Sequence, residues 1–114
     1  MDTESTPTTV AEDSILRKIS NHLKNKHSMH ALSHEVIPTN RTIGAEVVNR
    51  MPALYIPELK VPIEVTVSKE RDDDYLALGM LPLVAVPSRM RFDSPEEFVD
   101  SFIDFHTKWT EGRI

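Results

Sequence analysis

Apolar side chains recur at two different periods in this chain, and the period changes near Ile43. Before that point Ile15, Leu16, Ile19 and Leu23 stand at i, i+1, i+4 and i+8, which is one face of a helix. Arg17, Lys18, Asn21, Lys24 and Asn25 occupy the opposite face. Thr9-Val10-Ala11-Glu12 fits a capping box, with the threonine hydroxyl and the glutamate carboxylate each satisfying the other's backbone amide. These signals predict a helix from about Val10 to about Lys26. Whether it runs on through Met29, Leu32 and Val36 is open at this point, and Pro38 ends any continuation. Residues 1–8 are polar and without apolar period, so a disordered leader is expected, followed by one domain over residues 9–114.

Between Ile43 and Pro87 β-branched residues dominate. Val61, Ile63, Val65 and Val67 alternate with Pro62, Glu64, Thr66 and Ser68, which predicts a strand with one apolar and one wetter face. The run from Lys69 to Asp74 reads as a turn and Tyr75 to Met80 as a returning strand, giving a hairpin. Leu83 to Val86 is a third apolar run, and an earlier strand is expected near Ala45–Val48 or Ala53–Ile56. Pro52, Pro57 and Pro62 are five apart, as are Pro82 and Pro87. Proline cannot donate to a ladder, so short, kinked strands with prolines at edges and starts are expected.

The last element is the clearest. Ser94-Pro95-Glu96-Glu97 sets a serine at the N-cap, proline at the first helical position and acids at the positive end of the dipole. Phe98, Val99, Phe102, Ile103, His106 and Trp109 then share one side at helical spacing, Phe105 lies at its margin, and Gly112 is a stop. The expected fold is therefore α+β: an N-terminal helix, an antiparallel sheet of three to four short strands, and a C-terminal amphipathic helix packed on the sheet.

Composition narrows the function classes. The chain has 114 residues, 39% hydrophobic and 27% charged, and no cysteine. That excludes disulfides, a thiol nucleophile and cysteine-ligated zinc. The longest uncharged stretch, Tyr75 to Ser88, is too short and too broken by Gly79, Pro82 and Pro87 to span a bilayer, and the acidic first residues read as neither a secretory signal nor a transit peptide. A cytoplasmic protein is expected. Its net charge is −5, unevenly spread: residues 15–50 carry six bases and two acids, whereas residues 51–114 carry seven bases and twelve acids.

Four histidines, His22, His27, His30 and His34, fall in the basic region. On a continuous helix His27, His30 and His34 would share a face and could hold a metal or respond to pH, but no HExxH motif completes a site, so no metal and no cofactor is expected. The acids from Glu70 to Asp74 lack the spacing and glycine of a calcium loop. His106 and Asp104 are two apart and do not face each other on a helix. With three glycines there is no phosphate loop, and there is no GxSxG. An enzyme is not expected.

The order helix, strands, helix is similar to that of double-stranded-RNA-binding domains, whose last helix opens with lysines; here Asp93-Ser94-Pro95-Glu96-Glu97 stands there and repels phosphate. Over about residues 62–109 the chain resembles HicB-type antitoxins in its strand, acidic turn, strand, strand and capped helix, with Asp74-Tyr75 and Asp93 to Glu97 as the shared points. The resemblance implies a small acidic domain that neutralises a basic partner by covering it.

The expected function is thus non-enzymatic binding of another macromolecule, a protein first, as an inhibitor, antitoxin or immunity-like protein, adaptor or assembly factor. The candidate protein-binding residues are Tyr55, Ile56, Leu59, Asp72, Asp73 and Asp74. A homodimer through a sheet edge is a further expectation. The alternative is a nucleic-acid-contacting accessory protein using Arg17, Lys18, Lys24, Lys26 and Arg41.

Overall fold

The computed structural model describes residues 3–4, 9–90 and 94–112. Helix α1 spans Val10–His27 and begins as the capping box dictates: the Glu12 amide donates to Thr9 Oγ1 at 3.1 Å and the Thr9 amide to Glu12 Oε1 at 2.8 Å. It ends where Ser28 turns left-handed (φ 55°) and the Met29 amide closes back on the Leu23 carbonyl at 3.0 Å. The helix therefore does not continue to Val36, and the shared face of His27, His30 and His34 never forms. Ile15, Ile19 and Leu23 point inward.

Two three-stranded sheets follow. In the first, β2 (Ile37–Ile43) and β3 (Glu46–Arg50) form an antiparallel hairpin, and β1 (Thr3–Glu4) runs parallel to β3 on the other side. Gly44, with φ 64° at the first position of the two-residue turn, supplies the geometry that a type II′ hairpin needs. In the second, β4 (Leu54–Ile56), β5 (Val61–Glu64) and β6 (Leu83–Val84) stand in that order, β4 antiparallel and β6 parallel to β5. Strands form at both of the alternative early positions, and β2 comes in addition.

The central strand β5 is buried on both faces rather than one. Val61 and Ile63 join Ile15, Ile19, Leu23, Ile56, Leu83, Ala85 and Val99 in the core. Pro62 sits mid-strand, not at an edge. Tyr55, opposite it, exchanges both backbone bonds with Leu32 at 2.8 Å on its outer side, so the Tyr55–Pro62 pair has no ladder bond to lose. On its second face, Glu64 of β5 is bonded by Tyr75 and Arg71 of helix α2, Lys69–Ala77. This corrects the expected hairpin: the acidic turn and the strand from Tyr75 are one helix. Ser68 caps it, accepting from the Arg71 amide at 3.3 Å, Glu70 and Asp72 lie in its first turn, and Gly79 (φ 77°) follows its end. The strand–acidic turn–strand order behind the antitoxin resemblance is therefore absent.

Helix α3 spans Pro95–Thr110, capped by Ser94, whose Oγ accepts from the Glu97 amide at 3.1 Å. It lies along α1, with Val99 in the core, Phe98, Phe102 and Ile103 packed against it, and Phe105 43% exposed. The α+β class and the helix near each end stand as expected; the sheet does not, being two mixed sheets. Among the described residues no helix is long and apolar enough to cross a membrane.

Candidate functional site: a projecting ribbon and its clamp

The β2–β3 hairpin is anchored at its base and bare at its tip. At the base, Arg41 grips Asp74 of α2 with two bonds, Nε to Oδ1 at 2.6 Å and Nη2 to Oδ2 at 3.0 Å. Arg50, 3% exposed, donates from Nε to the same carboxylate at 2.8 Å and from Nη2 to Glu70 Oε1 at 2.7 Å. Asp74 is itself 4% exposed, and the bonds from Arg41, then from Arg50, hold its carboxyl below the ordinary value against the opposing effect of burial. Asn40 Nδ2 adds a bond to the Ala77 carbonyl at 3.3 Å.

A second set ties α2 to the sheet beneath. Tyr75, fully buried, donates its hydroxyl to Glu64 Oε2 at 2.6 Å, and Arg71 donates Nε to the same oxygen at 3.0 Å and Nη2 to the Met51 carbonyl at 2.9 Å. Burial, reinforced by the Glu64 charge, pushes the Tyr75 phenol well up. Asp72 Oδ1 is buried with no hydrogen-bond partner, and burial raises this carboxyl above its ordinary value, with Asp73 adding to it.

Beyond this clamp the ribbon stands in solvent. Every residue from Thr42 to Val47 is exposed, including Ile43 at 72% and Val47 at 47%. Thr42 pairs with Val47 and Ile43 with Glu46, so the two apolar side chains lie on opposite faces. β2 is an edge strand of its sheet among the described residues.

The residues expected at a protein interface fall elsewhere. Ile56 is fully buried in the core and is corrected to a packing residue. Leu59 is half-buried against that core, and Tyr55 is half-buried, with β4's outer edge closed at that point by Leu32. Of the acids, Asp74 is corrected to an internal ion-pair residue and Asp72 is half-buried. Asp73 alone is exposed, 2.7 Å from Lys69. The alternation in Val61–Val67 concealed the helix that turns these acids inward.

The basic set divides. Arg17, Lys18 and Lys24 are exposed on α1, Lys26 donates to Asp100 Oδ2 at 2.8 Å, and Arg41 is engaged with Asp74 on α2. The histidines divide too. His30 Nδ1 lies 3.2 Å from Glu58 Oε2 and His34 is exposed. His27 turns to α3, where it meets His22: both Nε2 atoms lie 2.8 Å from Asp100 Oδ1. His22 stands among the four clustered histidines of the sequence, but nothing in the sequence links it to Asp100, 78 residues away.

Compared with known proteins, the chain matches no family model, no curated protein and no solved structure.

Proposed function

We propose that this protein is a non-enzymatic binding module whose docking element is the β2–β3 ribbon and whose partner is another protein. The observation that carries the reading is the contrast within the hairpin. Its base is held by buried ion pairs, while its tip carries Ile43 and Val47 into solvent on opposite faces. A two-stranded ribbon gains little stability in water by itself. Exposed β-branched residues on such an arm, beside an edge strand, suit a partner that adds a strand to β2 or clasps the tip between apolar surfaces. The clamp pre-orients the arm, which lowers the ordering cost of association.

The test is capture from the cell of origin with the tagged chain and with an Ile43→Asp/Val47→Asp variant, before and after nuclease. A stoichiometric protein retained by the first, lost by the second and indifferent to nuclease is the expected result. Retention by both, or loss on nuclease treatment alone, contradicts it and turns attention to Arg17, Lys18 and Lys24 on α1. A purified chain that self-associates through the ribbon, in sedimentation at rising concentration, would make the partner a second copy.

A further inference from the structure

Asp100 stands in the second turn of α3 and faces the last turns of α1. Its Oδ1 lies 2.8 Å from His22 Nε2 and 2.8 Å from His27 Nε2, and the three atoms all lie within 4.8 Å of one another. The two imidazoles meet edge to face, with centroids 5.5 Å apart and planes at 76°. We propose that His22, His27 and Asp100 form a binding site for a divalent transition-metal ion, zinc above all, that staples α1 to α3.

The donor set argues for the class of ion. Two imidazole nitrogens and one carboxylate oxygen suit zinc and its first-row neighbours, whereas calcium and magnesium take oxygen. The spacing is close to what zinc requires. Its bonds of about 2.0–2.2 Å put tetrahedral ligands about 3.4 Å apart, so each present contact opens by about half an ångström on binding. The side chains are shielded without being sealed: the histidines are each 18% exposed and Asp100 32%, so water reaches the group and can complete the coordination of a three-ligand site.

Lys26 fits the arrangement. It is bound to Oδ2, 2.8 Å away, and not to the oxygen that faces the imidazoles. It can thus hold the carboxylate in place from outside, the role that outer-shell partners play around ligating groups. Its charge also opposes the ion, which sets the affinity below that of a closed four-ligand site.

The full-length chain, free of any histidine tag, is titrated with zinc chloride. One ion per chain is expected, with a rise in Tm of about 10 °C at a hundredfold excess over Kd. In NMR the imidazole signals of His22 and His27 move and those of His30, His34 and His106 do not. His22→Gln and His27→Gln each weaken binding at least about tenfold, while His30→Gln and His34→Gln leave it unchanged. Asp100→Asn follows the first pair if it folds, as circular dichroism reports; if it does not, the NMR titration of the unaltered chain still decides. Absence of saturable binding at about 1 mM zinc, or binding that survives His22→Gln and His27→Gln, would overturn the proposal.

Discussion

Arg41, Arg50 and Asp74 meet where the base of the ribbon passes α2, and their exposures differ: Arg41 is 43% exposed, Arg50 3% and Asp74 4%. The arginines therefore respond differently to loss of the carboxylate. Arg41 turns to water, but the buried Arg50 loses the Asp74 carboxylate while its Nη2 still donates to Glu70. Asp74→Ala is expected to cost about 3–5 kcal/mol in urea unfolding, the usual penalty for stranding one half of a buried pair. The pH dependence has a definite sign. Asp74 titrates below its ordinary value of 3.8 in the folded state, so its contribution is present above that value and is lost as pH falls through the folded one. The stability gap between the unaltered chain and Asp74→Asn should accordingly close below about pH 4. His106 obeys the same direction for a different reason. It is 6% exposed between Phe102 and Trp109, and burial pushes its pKa below 6.5. The neutral ring is the folded form, so stability falls as acid forces it to charge. His106→Phe should gain on the unaltered chain as pH is lowered from about 8 to 5, measured by thermal unfolding.

Helices α1 and α3 were legible because cap and period agree in each. Thr9 and Glu12 open one, Ser94, Pro95 and Glu97 open the other, and the apolar faces follow directly. Helix α2 was not legible from periodicity, since Val61 to Val67 alternate as a longer strand would and Tyr75 to Met80 resemble its return. The deciding signals were local: Ser68 as a cap, acids in the first turn and Gly79 just past the end. Ser68→Ala should therefore cost about 1 kcal/mol, the worth of an N-cap bond. Leu23→Ala, a cavity opened in the core beneath α1, should cost about 2–5 kcal/mol. β2 escaped notice because Pro38, Asn40 and Arg41 dilute its alternation; only Ile37 and Thr39 face inward.

Among the described residues the fold is two small sheets joined through the charged helix α2, with α1 and α3 packed on the core. Of the acids that a surface reading offers to a partner, Asp74 is turned inward to build that joint, and the apolar segment Leu54–Ile56 supplies core. Neither outcome could be read from neighbouring residues, because the pairs concerned are 24 residues apart for Arg50 and Asp74 and 33 for Arg41 and Asp74. The ribbon, with Ile43 72% and Val47 47% exposed, is the proposed docking element. The most direct measurement is photocrosslinking in the cell of origin, with a photoreactive amino acid placed singly at Ile43, Val47, Arg17 or Lys24. A protein adduct of one discrete mass from positions 43 and 47, with none from 17 and 24, is the predicted result. Adducts from the α1 positions alone, or none from the ribbon, would contradict it.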